Sequence, residues 1–240
     1  MDAVVMQEVR ALIFDTFGTL VDWRGSLVAD LSAWGAQRGL NVDWPALADA
    51  WRAAYRPSMD RVRRGERPWT RLDDLHRASL EALAPRFGLA NLEQADLDHV
   101  NHVWHRLQGW PDTTPGLYRL KRRFVIAPLS NGNVSLLVDM AKASDLPWDT
   151  VFGSDVFRHY KPDPETYLGA CDLLSLPASR VLMVAAHNGD LAAARALGLR
   201  TAFIPRPQEH GPGQTTDLRA ESDWDVVAGS VEELADRLGA

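Results

Sequence analysis

The stretch "VRALIFDTFGTLVD", residues 9–22, places the carboxylate of Asp15 at the end of an apolar run. Residues 11–14 are all apolar, which is typical of a short strand that is buried on both faces of a parallel sheet. Phe17 follows two residues after the acid. Because ligands bind outside the carboxyl ends of the strands in a doubly wound sheet, Asp15 is a candidate for chemistry.

Further apolar runs of the same kind follow, and helical sequence lies between most of them. Residue 198 is a glycine that can end one of these helices, and Ser230 with Glu233 has capping-box spacing at the start of another. The alternation predicts right-handed βαβ units and an α/β fold with an open, doubly wound parallel sheet. The predicted strands are 11–14, 124–129, 150–153, 181–186, 201–204 and 225–228, and the predicted helices are 134–144, 164–176, 191–199 and 230–240.

Residues 24–109 have a different pattern, in which apolar residues recur at helical spacing and no convincing strand is found. Five of the nine tryptophans lie there, which suits a small helical bundle that also faces a cleft. We therefore predict an all-helical cap domain over 24–109, inserted into an α/β core that comprises 1–23 and 110–240.

Composition excludes several classes of protein. The 240 residues are 46% hydrophobic and 24% charged, which allows a core of ordinary size, and the net charge of −6 argues against a nucleic-acid-binding protein. No apolar run is long enough to span a membrane. Cys171 is the single cysteine, so no internal disulfide forms, and the N-terminus lacks the pattern of a signal peptide. We expect a cytoplasmic protein.

Polar residues cluster at the ends of four predicted strands, which meet at one edge of the sheet. Together they bring two carboxylates, one ammonium group and several hydrogen-bonding groups to a single cleft. They are Asp15, Ser130, Asn131, Lys161, His187, Asn188 and Asp190.

Four ordered motifs, "FDTFGTLVD", "LSNGN", "KPDPETY" and "VAAHNGDLAAARALGLRTAFI", resemble those of the haloacid dehalogenase (HAD) superfamily of hydrolases. The resemblance covers nearly the whole chain. It implies a HAD-like Rossmannoid core with a helical cap inserted after the first strand. Within the superfamily, the chain is most similar to the type II, or L-2-haloacid, dehalogenases.

Phe17 distinguishes between activities in this superfamily. Its phosphatases usually carry a second aspartate at this position, which protonates the leaving alcohol. A phenyl ring cannot transfer a proton, but a leaving halide needs none. The resemblance therefore implies hydrolysis of short 2-haloacids to 2-hydroxy acids, with inversion at the α-carbon, through an ester on Asp15. It implies no cofactor and no metal.

The resemblance also implies a role for each matching residue. Asp15 is the nucleophile, kept ionised by Lys161, and water then cleaves the ester with help from Asp190. His187, which the family pattern does not contain, could position or deprotonate that water together with Asp190. The remaining residues orient the nucleophile, support the site or contact the substrate. Thr19 orients Asp15, and Tyr167 supports the site without touching the substrate. Ser130 holds the substrate carboxylate, Arg52 and Asn131 meet the leaving halide, Phe17 walls an alkyl slot, and Asn188 also contacts the substrate.

Three positions depart from the well-known dehalogenases. Ala185 and His187 stand where many have serine and asparagine, and Gly189 stands where a bulky aromatic residue commonly lines the pocket. The glycine leaves extra room. The same mechanism could therefore displace another leaving group, such as the ring amine of a small cyclic imino acid.

Other interpretations remain open at this point. A Mg²⁺-dependent phosphatase would use Asp15 and Asp190 as ligands, and a silent member would act by binding alone. Asp190 could be a helix N-cap, His187 a structural histidine and Arg52 a surface residue. His99, His102 and His105 recur every three residues, but no carboxylate of metal-site spacing accompanies them, so we expect no zinc site. A homodimer is possible.

Overall fold

A computed structural model describes residues 8–240 and contains one sheet of six parallel strands in the order β5-β4-β1-β6-β7-β8. The predicted α/β fold with a parallel sheet is confirmed. The strand at 150–153 is shorter than predicted, because only its last two residues pair. The strands are β1 Ala11–Phe14, β2 Val21–Asp22, β3 Gln108–Gly109, β4 Val125–Ser130, β5 Phe152–Gly153, β6 Val181–Ala185, β7 Arg200–Phe203 and β8 Val226–Val227.

Helices connect the parallel strands and also fill the region between β2 and β3. Three short 3₁₀ turns, at Ala84–Phe87, His102–His105 and Ala178–Arg180, add to them. The helices are α1 Trp23–Gln37, α2 Trp44–Arg63, α3 Leu72–Leu83, α4 Gln94–Asn101, α5 Thr113–Lys121, α6 Val134–Ala143, α7 Ser154–Phe157, α8 Pro164–Leu173, α9 Asn188–Ala196 and α10 Val231–Leu238. None of these helices of residues 8–240 is long and apolar enough to cross a membrane.

Both predicted helix signals are observed. Gly198 follows the end of α9 with φ +87°, a conformation that glycine adopts without steric cost. At the start of α10, the Ser230 hydroxyl accepts a hydrogen bond from the Glu233 N–H at 3.0 Å. Glu233 accepts in turn from the Gly229 N–H at 2.7 Å, one residue before the N-cap.

The inserted region, residues 24–109, is helical except at its end. The prediction that it holds no strand is wrong for β3, where Gly109 pairs antiparallel with Val21. The chain leaves the core at β2 and returns at β3, so the two connections lie side by side. A strand of two residues is too short to show the alternation of apolar and polar residues by which strands are recognised from sequence. The boundaries of the cap domain stay a prediction.

Indole rings form the centre of the inserted region. Trp23, Trp51 and Trp104 are buried, and the Trp51 ring meets that of Trp104 edge-on, with centroids 5.4 Å apart. Trp104 also contacts Phe17, with centroids 5.9 Å apart. The aromatic core of the insert therefore continues directly into the turn that follows β1.

A histidine joins the insert to the core. His105 Nδ1 lies 2.8 Å from Asp139 on α6, and its Nε2 lies 3.1 Å from Asp73 on α3. The sequence has no carboxylate at metal-site spacing from these histidines, but the fold brings Asp73 and Asp139 to His105. Asp139 is 34 residues away in sequence, beyond the reach of any spacing rule. His102, His105 and Asp139 lie close enough together to hold a metal ion.

Charge pairing already accounts for this cluster. Burial alone would lower the pKa of His105, but the hydrogen bonds and charges of Asp73 and Asp139 raise the pKa above its ordinary value. Protonation of the ring lets it donate to a carboxylate on each side. Asn133 extends the contact, because its amide donates to Asp73 at 2.8 Å.

Arg206 fixes the long segment between β7 and β8 to the core. Its guanidinium makes two hydrogen bonds to Asp112, at 2.7 and 2.9 Å, and Nε donates to the Thr19 carbonyl at 2.9 Å. Asp112 also accepts from the Val231 N–H. Both partners are largely buried, so this pair ties three distant parts of the chain together.

We expect Arg206→Met to lower the free energy of unfolding by about 3 kcal/mol, because it leaves a buried carboxylate without its cation. Urea unfolding monitored by tryptophan fluorescence measures the loss. Arg237→Met is the matched control: Arg237 pairs with Glu233 on the exposed face of α10, and its loss should leave the unfolding midpoint nearly unchanged. Equal effects of the two substitutions would contradict a special role for Arg206.

Candidate active site

The carboxyl ends of β1, β4 and β6 lie side by side and converge on Asp15. Phe14 is in register with Pro128 of β4 and Val184 of β6. The Asp15 N–H then donates to the Val184 carbonyl at 3.0 Å, which extends the ladder by one bond. The side chain of Asp15 is thus held at the centre of the sheet edge.

Among the residues that the structure describes, three side chains hydrogen-bond the Asp15 carboxylate. Lys161 Nζ lies 2.8 Å from Oδ1, while the Thr19 hydroxyl, at 2.7 Å, and His187 Nδ1, at 3.0 Å, share Oδ2. The Thr19 oxygen accepts from the Ala186 N–H at 2.9 Å, so its own proton is free to point at Asp15. Thr19, Lys161 and His187, which were all predicted to lie near Asp15, are brought together around its carboxylate.

These contacts keep Asp15 ionised. It is 7% exposed, and burial alone would raise its pKa. The positive charge of Lys161, together with the hydrogen bond and charge of His187, outweighs burial and holds the pKa far below its usual range. The site therefore contains a carboxylate that stays anionic although little water reaches it.

The turn after Asp15 depends on Gly18. Its φ of +83° favours glycine. An added Cβ would lie 2.1 Å from a carboxylate oxygen of Glu209, which is far inside contact distance. The backbone closes the turn through the Leu20 N–H and the Thr16 carbonyl, at 3.0 Å. Gly18 thus lets Thr19 reach back to Asp15 and leaves space for Glu209.

Lys161 also binds Asp190. The ammonium lies 2.5 Å from Asp190 Oδ2, and the hydroxyl of Tyr167 donates to the other oxygen, Oδ1. The backbone N–H of Lys161 donates to Asn131 Oδ1 at 2.7 Å. Burial alone would lower the pKa of Lys161, but Asp15 and Asp190 raise it, so the ammonium stays charged. Both oxygens of Asp190 therefore face donors.

His187 lies between two carboxylates, one of which sequence reasoning missed. Nδ1 faces Asp15, and Nε2 lies 2.9 Å from Oε2 of Glu209. Burial would lower the pKa of His187, but these two anions raise it well above the ordinary value. Glu209 belongs to the segment between β7 and β8, which no motif covers. Gly18 gives only a weak indication from sequence that another part of the chain packs against this turn.

Arg52 of α2 faces the same region. Its guanidinium lies 4.3 Å from the centre of the Tyr55 ring and 5.2 Å from that of Trp23. Its Nη1 is buried without a hydrogen-bond partner among residues 8–240. An unpaired buried N–H group of a cation is costly, so it is available to an anionic ligand.

Aromatic rings surround this arginine. Phe17 is buried and meets Tyr55 edge-on, with centroids 6.3 Å apart. Burial raises the pKa of Tyr55, which hydrogen-bonds Asn131. Sequence reasoning missed Tyr55, although it lies one helical turn after Arg52. Phe17, Arg52 and Asn131, which were all predicted, thus come together through this ring.

Three other positions that the sequence analysis singled out make no hydrogen bond to Asp15. Asn188 is buried and fully engaged with residues 217–224: its amide donates to Asp217 at 2.8 Å and accepts from the Trp224 indole at 2.9 Å. That side chain anchors a loop, with no hydrogen bond to the Asp15 cluster. Ser130 is buried at the end of β4 and accepts from the Gly132 N–H at 3.2 Å. Gly189 is exposed, and an added Cβ would meet nothing within 4 Å.

The donor set does not fit the Mg²⁺ of a phosphatase. Mg²⁺ takes six oxygen ligands and favours carboxylates. The two carboxylates in question, Asp15 and Asp190, are already bridged by the Lys161 ammonium. Position 17, where a phosphatase carries its second acid, presents a buried phenyl ring.

Comparison with known proteins agrees with this geometry. The model of the haloacid dehalogenase-like hydrolase family matches residues 9–198. (S)-2-haloacid dehalogenase 1 from Pseudomonas sp. strain CBS-3 is 32% identical over 85% of this chain and 89% of its own length. (S)-2-haloacid dehalogenase 4A from Burkholderia cepacia is 28% identical, over 96% of this chain and the whole of its own.

Solved structures are more similar still. The crystal structure of an L-2-haloacid dehalogenase is 54% identical with a TM-score of 0.94, over 96% of this chain and 99% of its own. That of a defluorinating L-2-haloacid dehalogenase is 49% identical with a TM-score of 0.94, over 97% and 96% of the two chains. The family match and the near end-to-end alignments show what the four motifs imply: this chain belongs to the haloacid dehalogenase-like hydrolases.

Proposed function

We propose that this hydrolase converts short 2-haloacids to 2-hydroxy acids through an ester on Asp15, with inversion at the α-carbon. The observation that carries the proposal is a buried, anionic Asp15 two residues before Phe17. Such a site has a nucleophile but no acid at the position where a phosphatase needs one. The (S)-2-haloacid dehalogenase names of its relatives support the same reaction.

The reaction has two steps. An oxygen of Asp15 attacks the α-carbon from the side opposite the halogen, and the carbon–halogen bond breaks with its electron pair leaving on the halide. Water then attacks the carbonyl carbon of the new ester, which releases the hydroxy acid and restores the carboxylate. Thr19 and Lys161 orient and ionise Asp15. Arg52, whose Nη1 has no partner among the described residues, receives the halide.

The other contacts belong to this proposal too. Asn131 and Tyr55 lie beside Arg52 at the halide, and the end of β4 with Ser130 holds the substrate carboxylate. Tyr167 supports Asp190. Asn188, given its contacts, acts through the loop that it anchors. A cytoplasmic location and a homodimer stay predictions from the sequence.

A panel of (S)-2-haloacids tests the function. We expect halide release with formation of the (R)-2-hydroxy acid, unchanged by exhaustive chelation, because the attacked carbon carries no phosphoryl group that requires Mg²⁺. A generic phosphate ester should give only background hydrolysis. Mg²⁺-dependent phosphate release without halide release would assign the chain to the phosphatases instead.

Asp15→Asn should reduce turnover by roughly 10⁴-fold or more, because the amide is a poor nucleophile of nearly the same shape. Circular dichroism and thermal unfolding check the fold, and the exposed Asp223→Asn is the control. A single turnover of the native enzyme in ¹⁸O water should label Asp15 and leave the first product unlabelled. Label in that first product would exclude the ester.

Gly189→Trp tests the pocket. If this position faces the substrate, the indole should favour the smallest haloacid over a branched or cyclic one by about 10–200-fold in kcat/KM, the range that one apolar wall supplies. Gly213→Trp is the matched control, since an added Cβ there also meets nothing within 4 Å. An unchanged ratio would mean that residue 189 lies outside the pocket.

A further inference from the structure

Glu209 is a buried acid that no motif predicts. Its side chain is 1% exposed, and the carboxylate accepts from the Trp23 indole at 3.1 Å and faces His187 at 2.9 Å. Arg52 Nη2 and His210 Nε2 lie 3.9 and 3.6 Å from Oε1. Burying a carboxylate is costly unless it is paired, so its place beside the site requires an explanation.

The surroundings hold Glu209 rigidly. Its N–H donates to the Arg206 carbonyl at 3.1 Å, and Arg206 is itself fixed to Asp112 and to the Thr19 carbonyl. The absence of a side chain at Gly18 provides the space for the carboxylate. Glu209 is therefore preorganised by the same turn that orients Asp15.

The ester intermediate changes what His187 faces. Before the reaction, both ring nitrogens of His187 are held by anions, Asp15 at Nδ1 and Glu209 at Nε2. Esterification removes the charge of Asp15, and the Nδ1 proton can leave to solvent. Glu209 then retains the proton on Nε2, so the Nδ1 lone pair points at the ester, where the attacking water must be deprotonated.

Asp190 is less suited to that role. Its two oxygens already accept hydrogen bonds from Lys161 and Tyr167, so both face protein donors and not the water that would attack the ester. On the basis of the proposed function, we infer that Glu209 is a positioning residue that holds His187 as the base for hydrolysis of the ester on Asp15.

The proton balance closes. His187 takes a proton from water as the oxygen bonds to the ester carbon, and the tetrahedral intermediate expels the alkoxide. The alkoxide takes the proton of the new Asp15 carboxyl group, which leaves the hydroxy acid and ionised Asp15. One halide and one proton are released per turnover, and His187 ends protonated, as it began.

Rapid quenching of Glu209→Gln with an (S)-2-haloacid separates the two steps. We expect a halide burst close to one per enzyme, an ester on Asp15 that is detectable by intact-mass spectrometry, and hydrolysis slowed by on the order of 10²-fold or more. Glu221→Gln, an exposed glutamate on the same segment, should behave as the native enzyme. His187→Ala should accumulate the same ester, which provides a second test if Glu209→Gln unfolds.

The pH dependence gives an independent readout. The charged or titratable groups around His187 are Asp15, Glu209 and His210, with Lys161 and Arg52 beyond them. Loss of the Glu209 charge should lower the pKa of His187 in the ester, so the acid limb of ester hydrolysis should move to lower pH.

Two results would overturn the inference. The first is that Glu209→Gln hydrolyses the ester at the native rate. The second is that halide release and ester hydrolysis are slowed equally, no ester accumulates, and the acid limb of the pH profile does not move. The native enzyme tests the proposed function separately. If it releases no halide from any 2-haloacid, the function and this inference both fail; if it does and the variant shows no ester, only the inference fails.

Discussion

The Asp15 carboxylate is buried at the edge of the central sheet, where a lone negative charge would be very costly. Lys161 and His187 offset that cost, and both are held in turn by further acids, Asp190 and Glu209. Carboxylates and cations therefore alternate across the carboxyl ends of the strands, in the order Glu209, His187, Asp15, Lys161 and Asp190. Each cation lies between two carboxylates. Removing either cation would leave those two carboxylates facing each other or facing apolar groups.

This alternation explains how the site combines stability with reactivity. Each carboxylate accepts from at least one cation, yet Asp15 keeps its charge, as the proposed attack on carbon requires. Phe17, Tyr55 and Trp104 exclude water on one side. Low polarity strengthens the attraction of the cations for the carboxylate. In the proposed reaction it would also remove the water shell that slows attack by Asp15.

Much of the fold could be predicted from sequence because its signals are local. Apolar runs such as 11–14 and 181–185 alternate with helices, and polar residues at their ends mark the cleft. Glu209 could not be predicted, because its partners His187 and Trp23 lie 22 and 186 residues away and no periodic pattern links them. The role of Asn188 was also hidden, since its loop partners follow it by about 30 residues.

The order of the chain has a consequence for synthesis. Lys161 and His187 follow Asp15 by 146 and 172 residues. A growing chain therefore carries β1 for most of its synthesis without the cations that make burial of Asp15 favourable, and without its neighbour β6 at Val181–Ala185. We therefore expect the apolar strand β1 to need cover from the early helical region or from chaperones until these partners have been made.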